Sequence, residues 1–214
     1  MDMKRLLSLL LALVMLFSLT ACSEDGLTLN PNSKTSPPST DEVKDDNNDT
    51  GEDGLILPDE DGLAVGYEGD TLHTAFFDMT IDNPRTCEEF DGLTPTEGYK
   101  FLVADLTLYN YTDHTQPMFD TDFEVVWDLD DDDAWAWPEC DEVMGDDGET
   151  DYFVRSEQQI PVSFNLGIHK TQTGVLLYQV PVDTQDYFIT FYEVFEDGTD
   201  EGQYGDAFYV RFSE

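Results

Sequence analysis

Short apolar runs separated by turn signals are the feature that most limits what this chain can fold into. No stretch of residues 62–214 shows the i, i+3, i+4 apolar spacing of a long amphipathic helix. Apolar residues instead alternate with other residues, most clearly at Leu102, Ala104, Leu106 and Leu108 and at Phe208, Val210 and Phe212. Because side chains of a strand point alternately to opposite faces, this pattern predicts strands with one face against a core.

Eight runs rich in aromatic and β-branched residues are predicted as strands: Leu72–Ile81, Tyr99–Tyr109, Phe123–Asp128, Tyr152–Arg155, Ile160–Leu166, Gly174–Val182, Tyr187–Phe195 and Ala207–Phe212. Turn signals lie between them, at Asp82-Asn83-Pro84, Glu97-Gly98, Asp147-Gly148 and Glu196-Asp197-Gly198. Strands at such regular spacing predict an all-β fold, a β-sandwich of about seven to nine antiparallel strands.

The first residues have the features of an export signal. Lys4 and Arg5 precede a run from Leu6 to Phe17 that is apolar except for one serine. Such a run is too short to cross a bilayer, which takes about 20 residues. The following Leu19-Thr20-Ala21-Cys22 resembles the lipobox of bacterial lipoproteins, which implies a diacylglycerol on Cys22. We expect residues 1–21 to be removed and the remainder to be anchored in the cell membrane, on its extracytoplasmic face, by acyl chains such as palmitate.

The residues after Cys22 change in composition. Residues 30–40 are polar and rich in proline, and residues 41–53 are mostly acidic or Asn. A segment of this kind buries too little apolar surface to offset its ordering entropy. We therefore predict an extended, disordered linker over 22–61, followed by one folded domain over 62–214.

The charge of the chain excludes one class of partner. The full chain carries a formal net charge of −39 at pH 7, with only nine Lys and Arg. Removing residues 1–21 takes away a net charge of +1, so the exported part carries −40. Nucleic-acid binding requires basic patches that neutralise phosphates, and the remaining basic residues are scattered. Nucleic acid is therefore excluded as a partner.

Two cysteines remain once Cys22 carries lipid. Cys87 and Cys140 form an even pair in an exported chain, and oxidising compartments permit such pairs to become disulfides. We predict a bridge between them, with two free thiols as the alternative. The bridge would close a loop of about fifty residues and stabilise the fold by roughly 4 kcal/mol.

Two of the predicted strands resemble those of a known domain. The segments are Phe76-Phe77-Asp78-Met79-Thr80-Ile81 and Gly98-Tyr99-Lys100-Phe101-Leu102-Val103-Ala104-Asp105-Leu106-Thr107-Leu108-Tyr109-Asn110. They are similar to the Ig-like domains of unknown function in Gram-positive lipoproteins, a superfamily that includes a mycobacterial immunoprotective secreted antigen. Weaker matches are Phe119–Phe123 and Gly174–Pro181. The resemblance covers roughly Gly66 to Phe212 and implies an Ig-like sandwich. It implies no catalytic residues, because none are established in the family.

Catalytic motifs are missing from the sequence. His73, His114 and His169 lack the local spacing of a zinc site, and no Gly-x-Ser-x-Gly elbow is present. We expect solvated histidines, no cofactor and no enzymatic activity.

Acidic runs are the candidate for a metal site. The segment from Asp128 to Asp133 offers carboxylate oxygens of the kind that calcium takes, with Asp130, Asp132 and Asp133 as the first candidate ligands. An EF-hand loop needs glycine at its sixth position, where Asp133 stands. A solvated charge run is the expected background in so acidic a chain, and loose screening by divalent cations is the favoured interpretation.

Three tryptophans are the candidate binding surface. Trp127, Trp135 and Trp137 lie beside the acidic run, and residues two apart in a strand face the same way. Such a pair forms a stacking platform for a sugar or a partner, or packs as an edge strand on the sandwich. The expected function is a binding module at the cell surface, with an envelope protein or a small molecule as ligand. The alternatives are a structural envelope lipoprotein without a ligand and a calcium-binding surface domain.

Overall fold

The structure is a computed structural model that describes residues 49–50 (backbone only), 54–145, 148–195 and 203–213. The export signal, Cys22 and most of the predicted linker lie outside the described residues. Fifteen strands run through these ranges: β1 (Asp49–Thr50), β2 (Ile56–Leu57), β3 (Leu63–Tyr67), β4 (Thr71–His73), β5 (Asp78–Cys87), β6 (Tyr99–Tyr109), β7 (Gln116–Phe119), β8 (Glu124–Val126), β9 (Trp135–Ala136), β10 (Cys140–Met144), β11 (Thr150–Val154), β12 (Ser163–Leu166), β13 (Thr171–Pro181), β14 (Asp186–Phe195) and β15 (Gln203–Ser213).

The strands form two large sheets and two two-stranded sheets. One sheet has the order β1-β2-β4-β5-β6-β13 and the other the order β3-β15-β14-β8-β9, while β10 pairs with β11 and β7 with β12. A single turn of 3-10 helix, Asp120–Asp122, separates β7 from β8. The predicted all-β sandwich is confirmed, although short strands make the count higher than nine. Two pairs, β3 with β15 and β2 with β4, are parallel rather than antiparallel. Within the described ranges no helix has the length and apolar character needed to cross a bilayer.

The main core lies between the two sheets. The predicted faces meet there: Leu102, Ala104, Leu106 and Leu108 from one sheet, and Phe208 and Val210 from the other. All six are less than 2% exposed. Burying an aliphatic or aromatic side chain in this way contributes about 1.5–3 kcal/mol, which makes this layer the main source of stability.

Smaller apolar clusters cover the outer faces of both sheets. On the first sheet Phe101 and Val103 of β6 lie under Phe90, so the central part of β6 is buried on both faces rather than one. On the second sheet Leu129, from the β8–β9 loop, forms a cluster with Phe188, Ala207 and Tyr209. Loops that fold back over the sheets therefore bury strand faces that the sequence pattern did not predict to be in a core.

The strand from Thr171 to Pro181 depends on a glycine. A Cβ at Gly174 would lie 2.7 Å from the backbone of Ile160, closer than atoms can approach. Glycine there lets the chain before Ile160 pair with β13, where Gln159 bridges to Val175. The turn that precedes β13 closes with the N–H of Lys170 bonded to the carbonyl of Gly167.

Three local expectations differ from the structure. The run Leu72–Ile81, predicted as one strand, is divided between β4 and β5. Asp82-Asn83-Pro84 is not a turn between strands but an irregularity inside β5, where the register against β6 shifts between Asp82 and Arg85. A bulge tolerates Pro84, which has no N–H to donate, and Asn83 takes the left-handed φ of 49°. The ordered domain also reaches into the segment 22–61 assigned to the linker. Ile56 is 5% exposed, belongs to the main core and pairs with Leu72.

Candidate binding groove

A groove opens where β7 diverges from β14. β8 pairs with β14 only from Phe188 to Thr190, and the last pair is Thr190 with Glu124. β14 continues to Phe195, but the chain before β8 turns through the 3-10 helix and β7 pairs with β12 instead. Along Phe191–Phe195 the edge of β14 on this side therefore has no strand partner within the described part of the chain. We call the space between this edge and β7 the β14 groove.

Aromatic side chains line the β14 groove. The cavity measures about 530 Å³. Its buried members are Phe77, Met118 and Phe191, and the half-buried and exposed ones are Phe76, Gln116, Pro117, Phe119, Asp122, Tyr192, Val194 and Phe195. Most of these eleven residues are apolar or aromatic, which is the usual composition of a small-molecule pocket.

Ring contacts join the loop before β5 to the β14 wall of the groove. The ring centroids of Phe76 and Phe195 lie 5.2 Å apart, and those of Phe77 and Phe191 lie 4.9 Å apart. Gly205 of β15 makes room for Phe195, because a Cβ there would approach the Phe195 ring to 2.5 Å. Tilted aromatic pairs at such distances contribute about 0.5–1.5 kcal/mol beyond their burial.

Asp122 is the acidic group of the groove. Its Oδ2 accepts a hydrogen bond of 2.8 Å from the backbone N–H of Phe119, which closes the 3-10 turn. Burial raises the pKa of Asp122, and the hydrogen bond from Phe119 opposes that rise. A cationic group entering the groove would therefore find a partly desolvated carboxylate.

A second carboxyl, Asp120, lies behind the groove. It is 2% exposed, and its Oδ1 has no hydrogen-bond partner within the described residues. Burial raises the pKa of Asp120 to about 6. Burial also raises the pKa of Tyr178, and the negative charge of Asp120 adds to that rise. The backbone N–H of Asp120 donates to the carbonyl of Val162, which ties the turn to the segment leading into β12.

The three predicted tryptophans do not form one surface. Trp127 is half-buried against the main core. Trp135 and Trp137 are 39% and 52% exposed, with ring centroids 5.0 Å apart at an angle of 69°. They form an edge-to-face pair on β9 and just after it, at the edge of the second sheet. The indole N–H of Trp137 donates to Glu124 at 3.2 Å.

The acidic run from Asp128 to Asp133 forms the loop between β8 and β9. Asp128 and Asp131 each accept a hydrogen bond from the backbone N–H two residues on, those of Asp130 and Asp133. Asp130, Asp132 and Asp133 are exposed. Within the described ranges no three or more His, Cys, Asp or Glu side chains are placed to hold a metal ion together.

The predicted disulfide is absent from the structure, and both Cys87 and Cys140 are free thiols. Cys87 ends β5, which is separated from β13 by β6. Two strand spacings of about 4.8 Å therefore lie between Cys87 and β13. Cys140 lies beyond β13, where the N–H of the preceding Glu139 bonds to Leu177. That separation is greater than the roughly 7 Å between Cα atoms that a disulfide spans.

His73 is not the solvated histidine that was expected from the sequence. His73 Nδ1 lies 2.6 Å from Asp78 Oδ1, and its ring stacks on Tyr111 at a centroid distance of 4.5 Å. His114 and His169 are exposed. His73 thus has a packing role beside β4 and β5.

The β10–β11 hairpin is a second exposed surface. Four large apolar residues on it are at least half exposed: Val143, Met144, Tyr152 and Phe153. Arg155 anchors its base, since Nη1 lies 2.6 Å from Glu139 Oε2 and Nε lies 3.5 Å from Asp141 Oδ1.

The groove was not predicted from the sequence, and of the hairpin only the second strand was, over Tyr152–Arg155. The one available signal for the groove was Asp120-Thr121-Asp122 between two apolar runs, which favours a turn at that point. That signal predicts the position of the turn, but it does not predict that β7 pairs with β12 rather than with β14.

Comparison with known proteins identifies no family. No family model matches the chain, and no curated protein matches it significantly. Its structure is similar to that of a proposed lipoprotein of Bacillus subtilis, ycdA, with a TM-score of 0.46, 9% identity and 68% of this chain covered. The matched part spans 38% of that protein.

Two further solved structures are similar. The yjhA protein of Bacillus subtilis has a TM-score of 0.43 and 12% identity, over 69% of this chain and 99% of its own. An uncharacterized β-sandwich protein of Clostridium difficile has a TM-score of 0.38 and 11% identity, over 70% of this chain and 93% of its own. Likeness at this level carries no argument about function.

Proposed function

We propose that this chain is a lipid-anchored, extracytoplasmic binding module, and that the β14 groove is its binding surface. The observation that carries the proposal is an open groove whose rim exposes Phe119 by 51% and Phe195 by 38%. Exposed aromatic side chains gathered around a concave site are costly in water and are typical of sites that a ligand covers. Membership of the Ig-like lipoprotein family is part of the proposal.

The anchor is tested separately from the groove. Cys22→Ser should move the protein from the membrane fraction to the soluble fraction and abolish labelling with radioactive palmitate. Retention of the variant in the membrane, with no label in the parent protein, would overturn the proposed anchor and leave the groove unaffected.

The groove is tested with a neutral apolar dye, Nile red, on the Cys22→Ser protein. Phe119→Ser should weaken dye binding, because Phe119 forms one wall of the groove. Trp137→Ser is the matched control, since Trp137 is 52% exposed and lies outside the groove. Thermal melting of both variants checks that each remains folded.

The three outcomes separate the candidate functions. Loss of dye binding in Phe119→Ser alone supports the groove. Loss in Trp137→Ser alone would favour the tryptophan pair predicted from the sequence. No saturable dye binding by the parent protein would favour a structural envelope lipoprotein without a ligand.

A further inference from the structure

The edge of β14 in the groove is open for pairing. On its other side β14 is paired with β15, with Tyr192 opposite Ala207 and Val194 opposite Tyr204. On the groove side, pairing with β8 ends at Thr190, and none of the other described strands takes its place. The backbone N–H and C=O groups of such an edge are a template for another strand.

Within the described residues this edge has no proline, no exposed charge and no strand over it, and its one irregularity is a register shift against β15 between Tyr192 and Val194. Proteins protect open edges with charged side chains, prolines or coverage by a loop. The edge from Phe191 to Phe195 contains a single charged residue, Glu193, which is 3% exposed. Its carboxylate turns inward and accepts hydrogen bonds from the N–H groups of Ala75 and Asp206. The charge of Glu193 is therefore not available to repel an incoming strand.

The chain keeps its own strand away from this edge. Asp122 accepts the N–H of Phe119 within the 3-10 turn, and Phe119 then pairs with Ser163 of β12. Had the chain continued from β8 without this turn, the residues before Glu124 would have paired with β14 beyond Thr190. The turn thus opens a strand-shaped space and lines it with Phe119.

The negative charge of the protein determines which strand sequences can bind in the β14 groove. The chain carries a net charge of −39, so a second copy or another acidic segment would be repelled. An anionic lipid surface is disfavoured for the same reason. Asp122 on the groove wall would attract a basic side chain.

We propose that the β14 groove binds an extended segment of a partner protein, apolar at alternate positions and carrying Lys or Arg between them, as an added strand against Phe191–Phe195. The main-chain hydrogen bonds supply affinity, and the apolar side chains enter the space between Phe76 and Phe119. This inference rests on the proposed function, because it names the ligand of the same groove.

The test uses a seven-residue peptide of alternating Val and Lys on the Cys22→Ser protein. Hydrogen exchange should slow at residues 191–195 when this peptide binds. A peptide with the same side chains, N-methylated at alternate residues, keeps its charge and apolar character but loses one edge of donors. It should bind at least about tenfold more weakly. A Val–Glu peptide should not bind, and Phe119→Ser should weaken binding of the Val–Lys peptide.

Several results would overturn strand addition. Equal affinity of the N-methylated peptide would show that the main chain is not recognised. Protection at residues 140–144 and 150–154 instead of 191–195 would assign the peptide to the β10–β11 hairpin. Protection of 191–195 that depends on protein concentration without peptide would assign the edge to a second copy. If Nile red still binds the groove and the Val–Lys peptide does not, the strand inference fails while the proposed function stands.

Discussion

Glu193 of β14 joins two distant parts of the chain through Oε1, which accepts a hydrogen bond of 2.6 Å from the backbone N–H of Ala75. The residue after Ala75 is Phe76, whose ring packs on Phe195 across the end of the groove. Glu193 therefore holds one wall of the groove as well as the loop before β5. Its second oxygen accepts the N–H of Asp206 at 3.3 Å.

Glu193→Ala should destabilise the protein, because it leaves the N–H groups of Ala75 and Asp206 without their acceptor. The expected loss is about 1–3 kcal/mol in the free energy of unfolding, measured by urea denaturation. Glu157→Ala is the control, since Glu157 is exposed and should change stability by less than about 0.5 kcal/mol. Equal effects of the two substitutions would show that the buried hydrogen bonds contribute nothing specific.

Asp120 should make stability fall as pH rises. Burial raises its pKa from 3.8 to about 6, so the folded state binds this proton more tightly than the unfolded state. The stabilisation is complete below about pH 4 and is lost as pH rises through about 6. Asp120→Asn removes the buried charge, and its advantage over the parent should grow by about 1 kcal/mol between pH 5 and pH 8.

Asp132→Asn is the matched control for Asp120→Asn. It removes one negative charge from an exposed position, so it accounts for the change in overall repulsion. Urea denaturation at several pH values compares the two. A pH-independent difference between them would mean that Asp120 titrates normally in the folded state.

Arg155→Met should loosen the β10–β11 hairpin while the sandwich stays folded. The substitution leaves Glu139, whose Oε2 lies 2.6 Å from Arg155 Nη1, without its cation. An isolated two-stranded hairpin is only marginally stable, so the loss of this anchor should speed hydrogen exchange at residues 140–144 and 150–154. Residues 99–109, in the centre of the first sheet, serve as the internal reference. Faster exchange there as well would indicate global destabilisation instead.

Both cysteines should titrate as thiols without any reductant. Alkylation of the unfolded Cys22→Ser protein should modify Cys87 and Cys140 completely, as detected by mass. In the folded protein the reaction should be slow, because burial raises the pKa of both thiols and lowers their thiolate fraction. If neither residue reacted until reductant was added, the protein would contain the disulfide that the strand order excludes.

Alternation by itself determined much of the sandwich. The strand predicted over Tyr99–Tyr109 has those bounds in the structure, and its even residues from Leu102 to Leu108 face the main core. Phe208 and Val210 do the same from the opposite sheet. These predictions succeeded because a period of two is a local property of the chain: one face of each strand must leave water wherever the strand lies.

Asn110, at the end of the strand that carries the family resemblance, shows where local reasoning stops. Its side-chain amide donates to the carbonyls of His114 and Leu166, and its Oδ1 accepts from Thr112. The bond to Leu166 crosses from β6 to the end of β12. The sequence showed only that Asn110 belongs to the segment that carries the family resemblance. The tertiary structure shows that its side chain holds the loop after β6 by hydrogen bonds.

The disulfide and the groove were decided by tertiary structure alone. Cys87 and Cys140 are an even pair in the sequence. The strand order and the hydrogen bond from Glu139 to Leu177 of β13 place β6 and β13 between them. The groove exists because the 3-10 turn at Asp120–Asp122 directs β7 to β12 and leaves the end of β14 open. Periodicity tells which face of a strand is apolar, whereas the identity of a strand's neighbours depends on contacts between residues far apart in the chain. Sequence spacing therefore predicted most of the long strands and their buried faces, and only the packing of the strands determined which edge stayed unpaired.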